Sequence, residues 1–177
     1  MRVTGGKFKG RIIPSFQWKG TRPTQDKIRS AIFDILGPNF NFTSLAVLDL
    51  YAGSGIVALE FLSRGAISVT SVDTNYKCIK FINGLKDVFG VKNWSAQKQN
   101  VDSFLRTNKN SFDIIFADPP YNLKDSRDQI NRILTTSIIK KQGLLIWEHR
   151  SNENFQDLHE NIKVKTYGDT SLTFFYF

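Results

Sequence analysis

Two rhythms of apolar residues alternate along the chain. Short β-branched or aromatic runs at Ala46–Leu50, Ser68–Val72, Phe112–Ala117 and Leu144–Glu148 predict strands. Between them the spacing turns helical over Ile56–Arg64, Asn75–Phe89 and Asp125–Ile139, lengths that suit right-handed crossovers between parallel strands. The alternation predicts an α/β fold with a mostly parallel sheet. Beyond Glu148 it weakens, and Ile162–Tyr167 and Ser171–Phe177 read as two strands joined at Gly168-Asp169, an antiparallel pair at the end of the sheet. Ahead of the first strand the pattern differs. Residues 1–20 hold Gly5, Gly6, Gly10, Pro14 and Gly20 among basic and aromatic residues, which predicts a glycine-rich hairpin or arm outside the main core. Thr24 can then cap a helix whose apolar face is Ile28, Ile32 and Ile35, ending near Gly37-Pro38. The expected division is an arm over residues 1–20 and a sheet domain over residues 21–177.

Composition narrows the class. With 177 residues, 41% hydrophobic and 23% charged, the chain suits one globular domain and excludes a disordered one. The formal charge of +8 is unevenly placed, because residues 1–30 alone carry +7 through Arg2, Lys7, Lys9, Arg11, Lys19, Arg22, Lys27 and Arg29 against Asp26. A near-neutral body with a basic front end points to a polyanionic partner, whose phosphates Lys and Arg bind with release of counterions. A single cysteine, Cys78, precludes an internal disulfide and fits a reducing compartment, and its helical setting marks it as a buried small hydrophobe. No apolar run approaches a membrane span and residues 1–30 lack a signal-peptide core, so the expected location is the cytoplasm.

The first strand runs into Tyr51-Ala52-Gly53-Ser54-Gly55 and then a helix. Glycines serve where a backbone must approach a ligand closely, and a helix start presents unpaired N–H groups. The second strand ends on Asp73, placed to accept hydrogen bonds from ribose hydroxyls. Gly53-Ser54-Gly55 with Ala58 even satisfies the dinucleotide pattern, but Asp49 argues against a dinucleotide, since a carboxylate there would repel a pyrophosphate. S-adenosylmethionine carries no phosphate, and its sulfonium and ammonium groups favour a nearby anion.

The strand Phe112–Ala117 ends on Asp118-Pro119-Pro120-Tyr121. Two prolines cannot continue a central strand and force a stiff departure at the carboxyl edge of the sheet, where open α/β folds bind ligands. The carboxylate of Asp118 and the Pro119 carbonyl offer acceptors to an exocyclic amine, and Tyr121 offers a flat face to a base. Such an amine is a poor nucleophile because its lone pair is delocalised into the ring. Two acceptors gripping its hydrogens favour a more pyramidal nitrogen. Guanine presents N1–H beside its N2 amine, two donors that a carboxylate can accept, whereas adenine places an acceptor beside its amine. Asp118 thus leans towards guanine.

With these motifs in hand, the sequence resembles the methyltransferase family that modifies the N2 amine of a guanine in bacterial small-subunit (16S) ribosomal RNA. The resemblance rests on Met1-Arg2 with Gly5-Gly6-Lys7-Phe8-Lys9-Gly10-Arg11, Arg22-Pro23-Thr24, residues 49–55, Leu62-Ser63-Arg64-Gly65-Ala66, residues 118–121, Glu148-His149 and Tyr167-Gly168-Asp169-Thr170. It implies a three-layer, Rossmann-like sheet of seven strands with the last antiparallel. It also implies S-adenosylmethionine as cofactor, held by Asp49, Ala52, Gly53, Ser54, Gly55, Asp73, Asn100 and Val101, with no metal. The catalytic set would be Asp118, Pro119, Pro120 and Tyr121, and Lys7, Lys9, Arg11 and Arg22 would grip RNA. Where the family carries an Asp near the end of its third strand, this chain has Asn100, whose amide oxygen can still accept from the adenine amine.

The expected partner is ribosomal RNA or the assembling small subunit, engaged by a monomer. Two other readings stand beside this one: an adenine-N6 methyltransferase of DNA or RNA, and a non-catalytic RNA-binding module on a methyltransferase fold. Asp49, Asp73 and Asp118, all present, speak against the last.

Overall fold

The computed structural model describes residues 1–14, 26–121, 123 and 125–177. After helix α1 (Asp26–Leu36) the chain alternates through β1 (Ala46–Leu50), α2 (Ile56–Ser63), β2 (Ser68–Asp73), α3 (Tyr76–Phe89), β3 (Trp94–Lys98), α4 (Val101–Thr107), β4 (Phe112–Ala117), α5 (Ser126–Thr135) and β5 (Ile139–Arg150), and closes with β6 (Ile162–Tyr167) and β7 (Thr170–Tyr176). The seven strands form one sheet in the order β3-β2-β1-β4-β5-β7-β6. Strands β1 to β5 pair in parallel, and β7 runs antiparallel to both β5 and β6. The expected seven-stranded α/β sheet with its last strand reversed is therefore the observed one. At the outer edge, β6 exposes Lys163 and Lys165, charges that discourage further strand addition.

Side-chain alternation along the central strands divides the core in two. Val47, Val69, Ile114, Phe116, Leu144 and Ile146 pack under α1, α2 and α3; Leu48, Leu50, Ile115, Ala117, Leu145 and Trp147 pack against α4 and α5. Strands buried on both faces read as continuous apolar runs, which is why β1, β4 and the second half of β5 were legible in the sequence. The helix expected over residues 125–139 instead ends at Thr135, and β5 begins at Ile139. The register shift between Phe112 and Ile114, with Gln142 at φ 63°, breaks the early part of β5 away from the regular ladder. Hydrophobic periodicity did not reveal β3 or α4: β3 buries only Trp94 fully, and α4 is seven residues long.

One expectation is corrected. Within residues 1–14, Val3, Phe8 and Ile13 are buried in the core beneath α1 and α2, so the segment is part of the fold and not an arm outside it. Arg2 bridges to Ile12. Phe8 N–H donates to Ser63 Oγ at 2.9 Å, the Ser63 hydroxyl donates to the Gly5 carbonyl, and Phe8 meets Phe89 edge-on with ring centroids 5.0 Å apart. A buried carboxylate completes the seam. Glu60 accepts from Thr4 N–H (2.7 Å), Thr4 Oγ1 (3.0 Å), Arg29 Nε (3.0 Å) and the Arg64 guanidinium, and Arg29 also donates to the Arg2 carbonyl at 2.8 Å. The cap expected at Thr24, like Lys19, Gly20 and Arg22, lies outside the described residues.

Candidate active site

The carboxyl ends of five parallel strands line one edge of the sheet, and the strand order reverses between β1 and β4, where open α/β sheets leave a crevice. Over β1 the chain turns through Tyr51, in a left-handed conformation at φ 59°, into Gly53 and Gly55. The two glycines have different reasons. A Cβ on Gly53 would meet nothing closer than the Tyr51 carbonyl at 3.9 Å, so its bareness leaves backbone open to a ligand. A Cβ on Gly55 would strike Ile82 and Trp94 at 2.7 and 2.8 Å, so that glycine serves the packing of α2 against α3.

Asp73 ties this turn to the next strand. One oxygen accepts from Gly53 N–H at 2.9 Å and the other from Asn75 N–H at 2.8 Å. Cys78, fully buried in α3, lies near the same carboxylate, and burial, with the Asp73 charge, pushes its thiol up to about 12. Asp73 remains partly exposed and keeps lone pairs for a ribose. Asn100 is the N-cap of α4, its Oδ1 accepting from Ser103 N–H at 3.2 Å, so an adenine amine would share an oxygen already in use. Val101 is buried beside it and Ser54 is buried in the turn, while Ala52 N–H is spent on the Val72 carbonyl at 3.1 Å.

Asp49, expected as the anion near a cationic ligand, lies beneath the turn. It is 1% exposed there and accepts from Ser71 Oγ at 3.3 Å and from the Ala58 backbone; Ser71 in turn accepts from Trp94 Nε1 at 2.9 Å. Burial raises its carboxyl to about 8, helped by the charges of Asp73 and Asp118. Three carboxylates thus share one field, and a cation seated over the edge would relieve it. That fits a sulfonium and ammonium ligand and opposes a pyrophosphate.

A polar chain absent from the sequence reading fastens the turn to the other face. The Tyr51 hydroxyl donates to Gln129 Oε1, and Gln129 Nε2 donates to Asp102 Oδ1 at 3.1 Å. Gln129 is buried on α5, and burial raises Tyr51 to about 12, so the phenol stays a donor. Its sequence signal was a polar residue beside Ile130 and Ile133 on a helix face.

Over β4, Asp118 leaves the sheet half-buried, with Pro119 buried, Pro120 exposed and Tyr121 39% exposed. The Tyr121 hydroxyl contacts Thr170 Oγ1 at 3.1 Å, and the Arg150 guanidinium lies 4.9 Å over its ring. A small cleft here is lined by Pro119, Pro120, Tyr121, Ser126 and the carboxyl end of β5. Trp147 Nε1, wholly buried beside it, makes no hydrogen bond among the described residues. Both ring nitrogens of His149 are engaged, Nδ1–H donating to the Arg150 carbonyl and Nε2 accepting from Thr173 Oγ1, both at 2.8 Å, and burial lowers its pKa.

Of the basic residues assigned to RNA, Lys7, Lys9 and Arg11 sit at the far ends of α2 and α3. Arg11 donates to the Val88 carbonyl at 3.0 Å and lies 4.1 Å over the Phe89 ring. Since α3 has 14 residues, they are about 20 Å from the carboxyl edge. Among the described residues, no cluster of three or more metal-ligating side chains occurs, and no helix is long and apolar enough to cross a membrane.

The acidic turn over β1 and the Asp-Pro-Pro-Tyr corner over β4 thus lie either side of the reversal in strand order, and the protein is an S-adenosylmethionine-dependent methyltransferase. The particular family follows from comparison. A family model described as Conserved hypothetical protein 95 matches residues 1–176, and the chain belongs to that family. It is 31% identical to a putative rRNA methyltransferase, YlbH, of Bacillus subtilis, over 99% of this chain and 98% of the relative. It is 29% identical to ribosomal RNA small subunit methyltransferase D of Escherichia coli K12, over 84% and 74% of the two chains. The solved structure of a putative methyltransferase, yhhF, from Escherichia coli superposes with a TM-score of 0.87 at 25% identity, covering 99% and 97%.

Proposed function

We propose that this protein methylates the N2 amine of a guanine in small-subunit ribosomal RNA. The observation that carries the reading is the position of Asp118 and the Pro119 carbonyl at the end of β4, next to the carboxyl groups of Asp49 and Asp73. The cofactor supplies an electrophilic methyl group on a sulfonium. Asp73 holds its ribose, Gly53 gives it room, and Asn100 and Val101 border its base. Asp49 balances its positive charge from beneath the turn.

Asp118 accepts one N2 hydrogen and the Pro119 carbonyl the other, drawing the nitrogen lone pair out of conjugation and aiming it at the methyl carbon. As the N–C bond forms and the S–C bond breaks, the surplus N2 proton leaves along the hydrogen bond to Asp118. Pro120 stiffens the loop, and Tyr121 stacks on the base. A guanine in a regular helix cannot reach this edge, so the substrate presents it unstacked, in a loop or bulge.

The relatives named as rRNA methyltransferases support an RNA substrate, and the completeness of the site within one chain supports action as a monomer. A ribosomal RNA substrate, naked or in an assembling subunit, supports a cytoplasmic location. Lys7, Lys9 and Arg11 would bind phosphates remote from the target base, and Arg22 would add to the RNA contacts.

The test is incubation with labelled S-adenosylmethionine and naked small-subunit rRNA, assembled subunits, or DNA, followed by mass analysis of nucleosides. N2-methylguanosine from RNA is expected. N6-methyladenine, or activity confined to DNA, would overturn the reading. Asp118→Ala should lose at least about 100-fold in turnover, the scale of removing one preorganised polar contact to the reacting group, while cofactor binding persists.

A further inference from the structure

The carboxyl ends of β4 and β5 bring a second carboxylate to the base. Ala117 pairs with Trp147 across the two parallel strands, and both side chains pack into the core against α4 and α5. Glu148, next on β5, points to the opposite face, and Asp118, the first residue past β4, follows Ala117 in the same sense. Asp118 and Glu148 therefore stand on the same face of neighbouring strands, about 4.8 Å apart along the sheet. Glu148 is 5% exposed at the rim of the cleft beside Pro119 and Tyr121. On that face, Arg150 follows two residues later and lies over Tyr121, whose hydroxyl meets Thr170. The corner around the stacking tyrosine is thus lined by two adjacent acids.

We infer that Glu148 is a specificity-determining residue whose carboxylate accepts the N1–H of the target guanine while Asp118 and the Pro119 carbonyl hold N2. The inference rests on the guanine-N2 reading above and deepens it. Guanine offers two adjacent donors, N2–H and N1–H, to two adjacent acceptors. Adenine would turn the N1 lone pair towards the Glu148 carboxylate, and a buried acceptor facing an acceptor leaves both without a proton. Discrimination of this kind needs no contact with the rest of the nucleotide.

The experiment uses RNA carrying, at the methylated position, guanine, 2-aminopurine or 2,6-diaminopurine. All three have the 2-amine, but only guanine has N1–H. The wild-type protein should methylate guanine about tenfold or more faster, in kcat/KM, than either analogue. Glu148→Gln can donate from its amide to an N1 lone pair, so its preference for guanine over 2,6-diaminopurine should shrink by about tenfold, with cofactor affinity unchanged by calorimetry. A merely structural Glu148 would lower all three substrates together, and that result would overturn the proposal. Equal rates of the wild-type protein on guanine and 2-aminopurine would overturn it without recourse to a variant. If the wild-type protein forms no N2-methylguanosine on the guanine RNA, both this inference and the reading beneath it fall; if it does and the ratios do not move, only this inference falls.

Discussion

The Arg150 guanidinium lies over the ring of Tyr121, 4.9 Å from its centroid, on the aromatic residue that the site offers to a base. A base stacking on that face takes the place of the guanidinium, and the released cation, exposed at the mouth of the cleft, is free to meet a phosphate. Arg150→Ala should therefore weaken RNA binding and lower the slope of log K against log salt by about 0.7–0.9, the share of one phosphate contact. Binding titrations across a salt series measure it; an unchanged slope would mean that Arg150 meets no phosphate in the complex.

Asp49 predicts a pH dependence. Its folded pKa, about 8, lies above the ordinary carboxyl value, so the neutral form is the stable one in the free fold. The sign follows: the stability tied to Asp49 is complete below about pH 4 and is lost as pH climbs through about 8. Asp49→Asn should remove that loss, so the wild-type melting temperature should fall more steeply than the variant's between pH 6 and pH 9. A cationic cofactor favours the ionised form. Between pH 6 and 8 its affinity for the wild-type protein should gain, relative to Asp49→Asn, up to about tenfold per pH unit, with proton release seen by calorimetry in buffers of different ionisation enthalpy.

Glu60 and Arg29, both fully buried, form an ion pair that joins the first residues of the chain to α2. Glu60→Ala takes from the buried Arg29 guanidinium its one fully buried carboxylate neighbour among the described residues, leaving the exposed Asp26 at 3.0 Å, and deprives Thr4 of both its acceptors. Loss of about 3–5 kcal/mol in urea unfolding is expected, the range for breaking a buried pair from one side. A loss below about 1 kcal/mol would show that the N-terminal segment is not integral to the fold.

The basic residues at the amino edge separate binding from packing. Lys7 and Lys9 are exposed, so replacing both by Gln should weaken RNA binding and flatten its salt slope by about 1.4–1.8, with cofactor affinity unchanged. Arg11 stacks on Phe89 and donates to the Val88 carbonyl, so Arg11→Gln should also lower the melting temperature. Loss of cofactor affinity in the Lys7 and Lys9 double variant would contradict the separation.

Much of the architecture was legible because its signals are local. Ala46–Leu50 and Phe112–Ala117 appear with the ends the apolar runs predict, since both faces of those strands are buried and leave no polar interruption. Gly53 and Asp73 stand out in the sequence as a strand–turn–helix and a strand end, and Asp118 by the two prolines that follow it. Lys7, Lys9 and Arg11 were legible as a charge cluster but not as a place, because glycine and lysine spacing says nothing of Val3, Phe8 and Ile13 entering the core.

The linear order of residues already held the alternation of strands and helices, the two loops proposed to carry the chemistry and the excess of positive charge at the front of the chain. These depend on periodicity, backbone restrictions and residue type, which a linear order preserves. Folding in three dimensions set the burial of Asp49 under its turn, the link from Tyr51 through Gln129 to Asp102, the Arg150 guanidinium over Tyr121 and the Ala117–Trp147 register that brings Glu148 to the corner of Asp118. Each of those depends on strand register or on elements distant in sequence meeting in space, and a carboxylate's burial, partners and charge neighbours exist only once the sheet has closed.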